Sequence, residues 1–162
     1  MVLLKNEEAL AKTAINTWKL VIGRLDRKLE QLTDDDIQKQ IAPGKNRPFY
    51  ILGHLTAIHD RLFSLLNLGE RLHPDLDEVY IASPDRSFKD AVSASGLRKI
   101  WTEVNTRLTT AFEGFTSEDW LQKHAEVSDD DFAKDPNRNR FAVVLNRTSH
   151  ASYHLGQLVL TK

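Results

Sequence analysis

The chain of 162 residues contains no cysteine. This excludes a disulfide framework, thiolate metal ligands and a cysteine nucleophile. If the protein does thiol chemistry, the thiol comes from outside. Charge of one sign is also missing, with 22 Lys and Arg against 23 Asp and Glu. No Lys/Arg block exceeds two residues, so no nucleic-acid or membrane-surface footprint is expected. No apolar run approaches the ~18 residues of a membrane span. The start, Met1-Val-Leu-Leu-Lys-Asn-Glu-Glu8, lacks the basic and apolar regions of a signal peptide. The expectation is a soluble cytoplasmic protein forming one domain over 1–162, long enough to bury ~70% of its unfolded surface. His-Glu-x-x-His, a phosphate-binding glycine loop and Gly-x-Ser-x-Gly are all missing. The only Glu-x-x-His, Glu70 to His73, has no second copy, so a di-iron carboxylate bundle is excluded.

Four segments carry helical periodicity. The first runs from about Glu7 to Leu32, with Leu10, Ala14, Trp18, Val21, Leu25 and Leu29 on one face. The second runs from about Arg47 to Leu68, with Pro48 in its first turn, Ile51, Leu55, Ile58, Leu62 and Leu65 as its stripe, and Gly69 as C-cap. The third covers about Ser95 to Phe112, and the fourth runs from about Arg140 to the end. No segment alternates like a strand. The spacing predicts an all-α four-helix bundle with long loops after helices two and three, roughly 25 residues each where simple bundles use ~2–8. A faint internal echo is present: Thr33 with Asp36, and Thr116 with Asp119, each place an acid three residues after a threonine, the pattern of a capped short helix.

The six histidines are unevenly informative. His150 and His154 are four residues apart, so on a helix they stack on one face ~6 Å apart. That geometry suits adjacent positions on one metal ion. Six histidines in such a chain give roughly a one-in-five chance of some i,i+4 pair, so a third ligand is needed. His54, flanked by Ile51 and Ile58 on the second helix, faces the core and supplies the candidate. A lone core-facing histidine is more often a hydrogen-bonded core residue than a ligand; the pair on another helix changes its weight. His59 lies ~140° round from His54 and is expected at the surface or rim, paired with charges. His73 and His124 fall outside the long helices. Three imidazoles would leave one to three positions for water or substrate, the composition of a catalytic site. Gln157, a turn beyond His154, is placed to bond a ligand imidazole, and Tyr153 either reaches the pocket or packs as a core aromatic. Gly156 costs a helix ~1 kcal/mol against Ala, which close backbone approach at the site would explain.

Ile51-Leu-Gly-His54 in an apolar helix and His150-Ala-Ser-Tyr-His154-Leu-Gly-Gln157 resemble the DinB/YfiT-like superfamily. The resemblance covers the whole four-helix layout, including the long crossover after helix two. It implies an up-down-down-up bundle, a nickel, zinc or iron ion held by His54, His150 and His154, and often a homodimer. It also implies reactions that use low-molecular-weight thiols such as bacillithiol and mycothiol in some members. The segment 123–139, with Ser128-Asp-Asp-Asp131, matches nothing in the family.

Two function classes follow. One is an enzyme with a small-molecule substrate, whose metal activates water for hydrolysis or a thiol for transfer. The other is a non-catalytic bundle that binds metal for stability or binds a partner protein in stress response. A homodimer is expected from surplus apolar residues outside the main stripes: Ile15, Leu20 and Ile22 on helix one, and Phe49, Leu52 and Phe63 on helix two.

Overall fold

The computed structural model describes residues 2–90 and 92–161, with side chains from residue 6 onward outside position 91. The elements are α1 (Val2–Glu30), a 3-10 turn (Asp36–Gln38), α2 (Pro48–Leu65), α3 (Leu76–Tyr80), α4 (Ala94–Glu113), α5 (Ser117–Leu121), α6 (Asp129–Lys134) and α7 (Arg140–Leu158). The four long helices are those expected. Among the described residues, strand pairing is limited to one isolated bridge, Lys123 with Asn139.

Local chemistry sets the helix ends. Pro48 occupies the first turn of α2, where its missing N–H costs nothing. Ser93 and Asn139 cap α4 and α7 by accepting from Gly96 N and Ala142 N. Thr116 and Asp119 form a reciprocal capping box at α5, and Thr33 and Asp36 exchange the same bonds ahead of the 3-10 turn. Ser128 caps α6 within the 123–139 segment. The end of α2 departs from expectation. The helix stops at Leu65, and the left-handed residue that terminates it is Asn67 (φ 53); Gly69 (φ 120) also has positive φ but lies two residues further on. Leu68 N donates to Phe63 O at 2.7 Å, closing a Schellman turn on asparagine, the residue after glycine most tolerant of that conformation.

The core forms where α1 packs on α7 and α2 packs on α4, with thinner contacts of α1 on α4 and α2 on α7. Trp18, Leu25, Leu52, Leu55, Leu97 and Leu108 are fully buried in it. Leu10 is 62% exposed, contrary to expectation, because that end of α1 meets only α5 and the start of α7 across an open apolar groove. The apolar surface that suggested a dimer is largely covered within the chain. Phe49, Leu52, Phe63 and Ile22 are buried, and Leu20 remains exposed. α2 is apolar round most of its circumference because α3, α4, α7 and the 3-10 turn all pack on it.

Two polar networks pin the connection between α2 and α4 to α2. Buried Arg47 bonds both oxygens of Asp85 (2.6–3.2 Å) and of Asp90 (2.9 Å each). Fully buried Asp60 accepts from Leu72 N, His73 N and Arg71 Nε. Neither network has a periodic signature in the sequence.

Candidate metal centre

His54 on α2 and His150 and His154 on α7 converge through their Nε2 atoms. His150 Nε2 lies 3.4 Å from His54 Nε2 and 3.1 Å from His154 Nε2. Each residue offers a ligand atom, and these lie within 4.8 Å of one another. Nitrogens at 2.0–2.1 Å from a shared ion are roughly 2.8–3.4 Å apart for angles between 90° and tetrahedral, and the two spacings at His150 fall in that range for one small divalent ion.

The opposite ring edges explain why the Nε2 atoms converge. His54 Nδ1 is 2.9 Å from the backbone carbonyl of Tyr80. A carbonyl only accepts, so the Nδ1 of neutral His54 carries the proton and its Nε2 keeps a lone pair. His154 Nδ1 is 2.7 Å from Gln157 Oε1, and Gln157 Nε2 donates to the Tyr153 hydroxyl at 3.2 Å. With both Nδ1 atoms protonated, these Nε2 lone pairs point at a common centre. Such an arrangement is unfavourable among bare acceptors and favourable around a cation. His150 Nδ1 is buried and has no protein partner among the described residues.

Electrostatics reinforces the neutral forms. Burial pushes His150 down to about 4, with His154, His54 and Arg147 adding to the effect. Burial also lowers His154, partly opposed by its Gln157 bond. Neutral imidazole is the metal-binding form, so the cluster is prepared to coordinate without first losing a proton.

The structure places the other candidates differently from the sequence expectation. Gln157 is where its spacing put it. Tyr153 is 63% exposed and is neither in the core nor in a pocket; it touches the site only through Gln157 and the edge of the His154 ring. His59 is fully buried, not at the rim. Its ring sits between Trp18 and Trp101, at 4.9 and 5.3 Å, and bonds Asn105 Oδ1 at 2.8 Å. The residue five places from His54 lies inside because α2 is enclosed on several sides, so a face ~140° away meets α1 and α4 instead of solvent. Gly156 has nothing within 4 Å of an added Cβ, so close approach does not explain it. The glycine that close approach requires is Gly53, where a Cβ would stand 2.3–2.6 Å from the Tyr80 ring. Gly53 and Tyr80 were both missed by sequence reasoning. The available signal was a glycine beside the histidine and an aromatic in the crossover. Tyr80 ends α3, so the connection between α2 and α4 supplies the carbonyl that orients His54. His73 faces Glu103 at 3.7 Å, and neither it nor His124 joins the cluster.

The family model of the DinB superfamily matches residues 17–158, a span that contains all three histidines and their supports. No curated protein matches the chain.

Proposed function

The chain belongs to the DinB superfamily, and on that premise we propose that it is a metal-dependent enzyme whose centre is His54, His150 and His154. The observation that carries this reading is the convergence of three Nε2 atoms, with His54 fixed by the Tyr80 carbonyl. A bound nickel, zinc or iron ion would act as a Lewis acid, lowering the pKa of water or a low-molecular-weight thiol toward neutrality for hydrolysis or S-transfer. The chain's own residues orient and exclude. Tyr80 and Gln157 hold two imidazoles in the tautomer that keeps Nε2 free. Gly53 lets the Tyr80 ring lie against α2. No cysteine competes for the ion, and among the described residues no carboxylate joins the cluster to close it.

The up-down-down-up path and a homodimer belong to the same proposal. Exposed Leu10, Leu20, Leu121 and Leu145 are the apolar surface that association would draw on. Among the described residues, no helix is long and apolar enough to cross a membrane. A structural role for the ion is the second reading. It is favoured by the thin α2–α7 contact, which ligands from both helices would clamp.

Elemental analysis after loading tests the centre. His54→Ala, His150→Ala and His154→Ala should each lose most of the metal, and His73→Ala and His124→Ala should keep it. Full occupancy in His54→Ala would refute the three-histidine centre. Turnover in a panel of hydrolysis and thiol-transfer assays, lost with the metal, separates the enzyme from a structural site.

A further inference from the structure

Five arginines are not exposed: Arg47, Arg71, Arg98, Arg140 and Arg147. Four of them are matched. Arg47 and Arg71 each hold two carboxylates. Arg98 donates to the carbonyls of Leu29 and Leu32. Arg140 lies over the Phe115 ring with Asp119 at 4.0 Å, although its Nε too is buried without a hydrogen-bond partner. Arg147 is different. Among the described residues it makes no ion pair, its Nε is buried without a partner, and its one side-chain hydrogen bond is a 3.2 Å bond to the neighbouring, exposed Asn146.

Its position gives that isolation a meaning. Arg147, His150 and His154 stand at i, i+3 and i+7, one stripe of α7. On α2, Arg61 lies seven residues beyond His54 and so shares the face that carries this histidine. The guanidinium is close enough to depress both His150 and His59. Burial lowers Arg147 itself; the charge of Glu126 opposes this, and the charge of Arg61, which is paired with Asp77, adds to it more weakly. A half-buried guanidinium that no carboxylate contacts directly, with Glu126 acting on it only at longer range, leaves a buried N–H donor without a partner.

We propose that Arg147 binds an anionic group of the substrate, a carboxylate or phosphate, and so selects anionic substrates at the metal centre. The inference rests on the metal-enzyme reading. The guanidinium supplies planar paired donors suited to either anion, one helical turn from His150. An arriving anion satisfies the orphaned N–H, and a neutral isostere leaves it unsatisfied.

The test uses two probes that differ only in charge, 3-mercaptopropionate and 3-mercaptopropionamide. Cobalt(II)-loaded protein is titrated with each, following the sulfur-to-cobalt charge-transfer absorption. In parallel, metal-free protein is titrated with inorganic phosphate by calorimetry. The unchanged protein should prefer the anionic thiol by about tenfold or more. Arg147→Met should abolish that preference, leave the amide's affinity unchanged and remove phosphate binding, while Arg147→Lys keeps part of each. Equal affinities for the two thiols in the unchanged protein, or a preference that survives Arg147→Met, would overturn the inference. If cobalt does not bind, the metal reading fails separately, and the phosphate titration decides: binding lost in Arg147→Met supports an anion site, and no binding in the unchanged protein overturns it.

Discussion

Acidification should destabilise this protein chiefly through a histidine that binds no metal. His59 is fully enclosed, and burial drives it down to about 3. The Asn105 bond opposes this shift, and the charges of His150, Arg147 and His54 add to it. Asn105 Nδ2 donates to the Trp101 carbonyl, which fixes the amide so that Oδ1 faces His59 and makes its Nδ1 the donor. In the unfolded chain a histidine takes a proton near pH 6.5. The folded protein refuses that proton until about pH 3. The stability this group contributes is therefore complete above pH 6.5 and is lost as the pH falls from there toward 3. At 1.36 kcal/mol per pH unit, the loss between pH 7 and pH 4 comes to about 3 kcal/mol, a large fraction of a domain's stability. Urea unfolding of metal-free protein at pH 7, 5.5 and 4 measures it, with Trp18 and Trp101 beside the ring as the fluorescent reporters. Other groups titrate in the same range, so the informative quantity is the difference from His59→Gln. That variant should lose about 1–3 kcal/mol at pH 7 through an imperfect bond to Asn105. It should lose about 3 kcal/mol less than the unchanged protein on going to pH 4. Parallel pH profiles for the two proteins would refute the reasoning and mean that His59 is charged, or hydrated, in the folded state.

The glycines give a paired prediction. Gly53→Ala should destabilise by about 1–3 kcal/mol and weaken metal binding, because its Cβ displaces the Tyr80 ring whose carbonyl holds His54. Gly156→Ala meets nothing within 4 Å and should stabilise by about 0.5–1 kcal/mol with metal binding intact; denaturant titration and metal titration read both. Gln157→Ala should lower metal affinity by roughly 10- to 100-fold without unfolding the protein, since it leaves His154 Nδ1 without its partner, and competition with a chelator measures the change. Arg47→Ala should cost about 3–5 kcal/mol in urea unfolding, because Asp85, 7% exposed, is left buried and unpaired.

The four long helices, the all-α class and the His54/His150/His154 set were legible in the sequence because each depends on spacing along one helix. Apolar residues at three and four place a stripe, and histidines four apart stack whatever surrounds them. Thr33 and Thr116 as caps were legible for the same reason, since a capping bond closes within three residues. What the sequence left open depends on which helix faces which. His59 was placed at the rim because only one inward face was assumed for α2, and the tertiary structure encloses that helix on several sides. Leu10 continues the α1 stripe but runs past the partners that would bury it. The importance of Gly53 over Gly156 is set by a ring arriving from α3, and the carbonyl that orients His54 comes from the same residue, 26 positions away. Arg47, paired with Asp85 and Asp90, and Arg147, without an ion pair among the described residues, read alike in one dimension. Whether a charge is paired is a distance between elements, and only packing sets that distance.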